Sequence, residues 1–148
     1  MIANWQRLDA ATTTSGRLVA GDVACLAGIG VRHVINLAMP DHPAALANEE
    51  ALLAACGLAY THIPVPFAAP GEEHFAAFRA ALEQGPQPVH VHCIMNWRVS
   101  AFFYRYNRDV AAMPEPRARA LMERHWQPET SDHPDAPAWA RFIRPEGS

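Results

Sequence analysis

At 148 residues and 50% hydrophobic content, the chain is long enough for one domain with a single sizeable core and too apolar to be disordered. A formal net charge of −3 and a pI near 6.2 exclude the basic footprint of a nucleic-acid binder or of a protein held on an anionic membrane surface. No stretch approaches the roughly 20 apolar residues of a spanning helix, and the opening MIANWQRLDA lacks the regions of a secretory signal, so a cytoplasmic protein with one domain over residues 1–148 is expected.

The segment TTTSGRLVAGDVACLAGIGVRHVINL reads as a Ser/Gly turn, a short helix from about Gly21 to Ala27 and, after Gly28 and Gly30, a strand from Val31 to Leu37. Met39, Pro40 and Asp41 signal a turn that makes the carboxyl end of this strand a candidate wall of a site. Helical spacing of apolar residues runs from about Ala45 to Cys56 and stops at Gly57; the strand AYTHIPVP follows and ends at Pro64 and Pro66, which have no N–H for a ladder. The loop FAAPGEEH opens the helix EEHFAAFRAALEQG, with Glu72 and Glu73 in the first turn, where the macrodipole favours negative charge. GPQPVHVHC supplies a third strand. A helix from about Arg98 to Val110, the Pro-flanked EPRARALMERHW and a tail helix around APAWARFI complete the chain. Strands alternating with helices of about 10 to 14 residues predict an α/β domain with a central, mainly parallel sheet flanked by helices. Ligands of such sheets sit beyond the carboxyl ends of the strands.

Three cysteines, Cys25, Cys56 and Cys93, form an odd and widely spaced set that fits neither a disulfide framework nor a metal site. Cys25 and Cys56 lie on apolar helical patterns, where a small buried thiol is expected. Cys93 is different: in VHVHCIMNWRVSAFFYRY it falls where a strand turns into a helix, facing backbone N–H groups that favour an anion. Cys93 and Arg98 stand at the ends of a six-residue arc. Wrapped into a cup, that arc forms an anion-binding nest closed by the arginine fork, and the same groups favour the thiolate. His90 and His92 share one face of the strand while Val89, Val91 and Cys93 share the other. His92 either bonds a loop carbonyl and holds the cup or sits satisfied in the core. Ser100 either donates to the thiolate or is an ordinary early-helix serine. A single His-x-His pair without a nearby third ligand gives no reason to invoke a metal, and no cofactor is expected.

VHVHC followed by a loop and RVSAFFYRY resembles the protein tyrosine and dual-specificity phosphatase superfamily, whose phosphate loop begins at a His-Cys on a strand end and whose arginine opens the next helix. YTHIPVP, upstream, resembles that superfamily's strand. The resemblance is closer to a bacterial dual-specificity-phosphatase-like group, including a domain sometimes fused to a metallo-β-lactamase-like hydrolase, on SGRLVAGDVACLAGIGVRHVINL, EEALLAACGLAYTHIPVP and a shortened cysteine loop, from about Ser15 to Tyr106. It implies a cysteine phosphatase-like fold and a metal-free phosphatase acting on a phosphorylated small molecule or phosphoprotein. Cys93 would form a phosphocysteine, Arg98 would bind the phosphoryl group, and the amides of Ile94, Met95, Asn96 and Trp97 would cradle its oxygens.

Two features depart from that pattern. The superfamily loop normally has five residues between cysteine and arginine and contains glycine; here there are four and no glycine, and Asn96 is the residue best able to take a left-handed position. The superfamily's general acid, usually an aspartate just after the IPV strand, is replaced in IPVPFAAPGEEH by Phe67. Asp41 is the leading substitute, ahead of His42, Glu72, Glu73 and His74, against the alternative of a solvated turn aspartate. Three readings follow: a phosphatase; a sulfurtransferase, because rhodaneses also end a strand on a nucleophilic cysteine and often use a six-residue loop; and a non-catalytic oxyanion-binding module. Trp97 is a candidate aromatic wall, whereas Trp126 and Trp139 are expected to anchor the last helices by packing. The oligomeric state is open, a dimer among the options.

Overall fold

The β-branched runs of the sequence reading pair in parallel at the centre of the sheet: β3 (His33–Asn36), β4 (Ala59–His62) and β5 (Val89–His92). The computed structural model, which describes residues 1–145, adds a hairpin that the sequence reading took for a turn. β1 (Gln6–Asp9) runs antiparallel to β2 (Thr12–Ser15), and β2 runs parallel to β5. The sheet order is therefore β1-β2-β5-β3-β4, mixed, with β5 in the middle. The run TTTS gives no apolar alternation, yet Thr13, Thr14 and Ser15 are buried. β-branched threonine suits a strand, and the Thr13 and Ser15 hydroxyls each hydrogen-bond His90 of β5, at 2.8 Å.

Alternation along the central strands sends side chains to two separate cores. Val34 joins Val23 and Leu26 of α1 (Ala20–Gly28) and Leu53 of α2 (Glu49–Ala55) on one face. Ile35, Val89, Val91 and Cys93 join α3 (Glu72–Gln84), α4 (Trp97–Arg105), α5 (Glu115–Glu123) and α6 (Ala136–Phe142) on the other. Gly30 and Gly57, at φ of 92° and 79°, lead out of α1 and α2 in the left-handed conformation that glycine adopts without strain. Phe78 of α3 and Phe102 of α4 are fully buried and meet edge to face at 5.3 Å; burial of each such ring contributes about 2–3 kcal/mol.

Three expectations change. Cys25 and Cys56 are exposed rather than packed in the core, because α1 turns Val23 and Leu26 inward and α2 turns Leu53 inward. α2 begins at Glu49, after a left-handed Asn48, and not near Ala45. The helix expected from Arg98 to Val110 begins at Trp97 and passes from α-helix to a π-helical turn at Tyr106–Val110. α4 is buried on nearly every side, Arg98 and Arg105 included. Among the described residues no helix is long and apolar enough to cross a membrane.

Candidate active site

β5 ends at His92, and Cys93 leaves the sheet from its central strand with its N–H reaching Ser15 O at 3.4 Å. Two clamps from the amino-terminal hairpin hold the loop that follows. Arg17 N–H donates to Ile94 O at 2.8 Å, and Gly16 lies so close that a Cβ there would stand 2.5 Å from Ile94 O and 2.6 Å from Asn4 Oδ1. The left-handed position of the glycine-free loop falls at Asn96, with φ 65° and ψ 12°. Its fully buried side chain donates to Asn4 O at 2.9 Å and Thr14 Oγ1 at 3.0 Å. Among the described residues no backbone acceptor takes the N–H of Ile94, Met95, Asn96, Trp97 or Arg98. A run of free N–H groups in a tight arc is the arrangement of an anion nest.

Cys93, fully buried, and Arg98 line one cavity of about 340 Å³ with Ile94, Met95 and Trp97 of the loop. Burial lowers the Arg98 guanidinium from the ordinary range, and the neighbouring Cys93 opposes that. Arg98 Nε donates to Val65 O at 2.8 Å, and its guanidinium lies over the Phe67 ring, 5.0 Å from the centroid. Phe67, in the place where the resemblance puts an acid, is thus a shelf for the arginine. Trp97 stacks on Trp126 at 4.7 Å with planes 1° apart. Indole N–H groups tie the carboxyl-terminal helices to the cavity walls: Trp126 Nε1 donates to Trp97 O at 3.1 Å and Trp139 Nε1 to Phe67 O at 2.7 Å.

Behind the loop, His92 Nδ1 faces Cys93 O at 3.2 Å and Nε2 faces Glu49 Oε2 at 2.7 Å. Both partners are almost fully buried, with side-chain exposures of 4% and 5%. Close by, the Tyr60 hydroxyl accepts from Asn36 Nδ2 at 3.1 Å. Burial pushes the Tyr60 phenol up to about 12, the Asn36 bond opposes this, and the Glu49 charge adds to it. His90 occupies both ring nitrogens with Thr13 and Ser15 and stacks on Trp5 at 5.5 Å. Burial, then the charge of His92, hold it well below the usual histidine range. Among the described residues no group of three or more His, Cys, Asp or Glu side chains is placed to hold a metal.

The other sequence-derived residues separate here. Asp41 is exposed and does not line the cavity, whereas its neighbour His42 does. Glu72 pairs with Arg105 at 2.9 Å, and His74 Nδ1 accepts from Gly71 N–H, which closes the start of α3. Ser100 Oγ donates to Trp97 O and not to the sulfur. Asn96 faces away from the cavity, into the hairpin. The sequence reading missed Glu49, His133 and Asp135, the last two completing the cavity lining. Their segment, SDHPDAP, reads locally as a Pro-rich turn.

Residues 6–104 match the model of the beta-lactamase hydrolase-like protein, phosphatase-like domain. The chain belongs to this family. In this phosphatase-like domain the matched stretch runs from β1 to the end of α4 and includes Cys93 and Arg98, while α5, α6, His133 and Asp135 lie beyond it. The chain is 27% identical to a DUF442 phosphatase candidate from Shewanella putrefaciens CN-32, with a TM-score of 0.80 over 96% of this chain and 87% of that one. P. aeruginosa TpbA in complex with pTyr shares the fold at 19% identity and a TM-score of 0.68, over 95% and 83% of the two chains. The core catalytic domain of the S. cerevisiae PP-IP phosphatase SIW14 does so at 14% and 0.75, over 96% and 84%. No curated protein sequence matches the chain. The α/β fold is that of the protein tyrosine and dual-specificity phosphatase-like superfamily, as the resemblance implied.

Proposed function

We propose that this domain is a cysteine-dependent phosphatase that hydrolyses a phosphomonoester, of a small molecule or a protein, through a phosphocysteine intermediate. One observation carries the reading: Cys93, at the carboxyl end of the central strand, shares a cavity with Arg98, under a loop of five N–H groups that no backbone acceptor takes. The Cys93 thiolate attacks phosphorus as the bond to the leaving oxygen breaks, and water then displaces the sulfur. Arg98 and the amides of Ile94 to Trp97 offset the charge on the equatorial oxygens in both steps. His92, held by Glu49 and bonded to Cys93 O, positions the loop. No cofactor is required for these steps, and a reducing, cytoplasmic setting suits three free cysteines.

A second reading has one observation in its favour. The six-residue, glycine-free arc from Cys93 to Arg98 has the length common in rhodaneses, and persulfide formation on Cys93 from a donor with a good leaving group such as sulfite needs no proton donor. Assays with p-nitrophenyl phosphate and with thiosulfate plus cyanide, each against Cys93→Ser, decide between them. The phosphatase reading requires nitrophenol release that falls at least about 10³-fold in the variant. Cysteine-dependent thiocyanate without nitrophenol overturns it in favour of sulfur transfer, and silence in both leaves an oxyanion-binding module.

A further inference from the structure

We infer that Asp135 is the catalytic acid and base of this site, supplied by the segment before α6 and not by the loop after β4; the inference rests on the phosphatase reading. Among the described residues lining the cavity that holds Cys93 and Arg98, Asp135 is the only carboxylate. A sphere of the cavity's 340 Å³ is about 9 Å across, a span filled by a phosphoryl group and its leaving group. The other carboxylates considered are committed or elsewhere: Glu49 to His92, Glu72 to Arg105, and Asp41 and Glu73 outside the cavity. The Asp135 carboxylate has no hydrogen bond or ion pair to another described residue.

The backbone around it is fixed. Asp135 N–H donates to His133 Nδ1 at 3.0 Å, Ala138 N–H donates to Asp135 O at 3.1 Å, and Trp139 anchors α6 to Phe67 O. His133 packs edge-on against Phe67 at 4.9 Å and Trp97 at 6.1 Å. Because its Nδ1 accepts, the neutral ring carries its proton on Nε2 and is an oriented donor at the cavity wall. A phosphate dianion entering beside an unpaired carboxylate favours protonation of that carboxylate. In the first step the S–P bond forms, the P–O bond to the leaving group breaks, and the Asp135 proton passes to the leaving oxygen. In the second, Asp135 takes a proton from water as the new O–P bond forms and the S–P bond breaks, which releases phosphate and restores the protonated acid.

The test compares kcat/KM for phenyl phosphate, a poor leaving group, with that for dinitrophenyl phosphate, a good one. In Asp135→Asn the former falls about 100-fold or more and the latter less than about threefold, and the alkaline limb of the pH profile is lost. Asp135→Glu, which keeps a carboxyl group, recovers part of the activity on phenyl phosphate; this also serves if the asparagine variant folds poorly. His133→Gln leaves the ratio between the two substrates unchanged. Equal losses on both substrates in Asp135→Asn, or a leaving-group dependence that appears in His133→Gln instead, overturn the assignment while leaving the phosphatase reading intact. Absence of Cys93-dependent hydrolysis of either ester overturns the phosphatase reading and this assignment with it.

Discussion

Replacing Glu49 with alanine tests whether the buried pair behind the loop holds the site together. His92 and Glu49 are separated by 2.7 Å with almost no exposure, so solvent screens their interaction little. Removing one partner of a buried pair costs about 3–5 kcal/mol, because the other is left uncompensated. The expected loss is about 4 kcal/mol. For a chain of this size each kcal/mol corresponds to about 2–4 °C, so Glu49→Ala should melt roughly 8–16 °C lower, whereas Glu49→Gln, which keeps a neutral acceptor for His92, should lose about 1–2 kcal/mol. Urea unfolding followed by far-UV circular dichroism measures both. A loss below about 1 kcal/mol in the alanine variant, at unchanged m-value, would refute the argument that the pair is buried and coupled.

Acid should destabilise the fold from near pH 6.5 downward. Burial depresses His33, His90 and His125 below the ordinary 6.5, so the unfolded chain binds protons first; the stability is fully present above pH 6.5 and is lost as pH falls toward the folded-state values. Each histidine contributes up to about 1.4 kcal/mol per pH unit. Unfolding free energies should therefore be lower at pH 5.5 than at pH 7.5, with His90 alone contributing up to about 1.4 kcal/mol, and a flat profile would contradict neutral burial. Gly16→Ala places a methyl group 2.5 Å from Ile94 O, a backbone atom of the cysteine loop. It should cost about 1–3 kcal/mol and displace the loop, visible as a Tm decrease with slower alkylation or turnover at Cys93; wild-type values for both would show that the hairpin does not set the loop's shape.

The parallel centre of the sheet was legible because PVHVH and VRHVINL carry β-branched alternation between Gly and Pro punctuation. The hairpin was not, since Gln6–Asp9 has no apolar alternation and TTTS is wholly polar, with Thr13 and Ser15 buried by hydrogen-bonding His90 of the neighbouring strand, a property of the fold and not of the segment. The Cys93 to Arg98 arc could be read from spacing, and the left-handed residue from the absence of glycine, because both depend on neighbours in sequence. Asp41 looked suitable because it follows a strand on the correct edge of the sheet, but the loop carries it out to solvent. Asp135 lies 42 positions beyond Cys93 and reaches the cavity through the anchoring of α6 by Trp139, which leaves no local trace. Glu49 reads as an ordinary acidic residue in the first turn of a helix; only the position of α2 against β5 turns it inward.

The clamps on the glycine-free loop also decide when its conformational entropy is lost. Ordering one backbone residue costs about 1–2 kcal/mol, so the four residues between Cys93 and Arg98 represent roughly 4–8 kcal/mol. With Asn96 tied to Asn4 and Thr14, and Ile94 tied to Arg17, that loss accompanies folding of the whole domain instead of arrival of an anion. Affinity for a compact oxyanion is then limited by desolvation of Arg98 and the loop amides, with little ordering left to oppose binding.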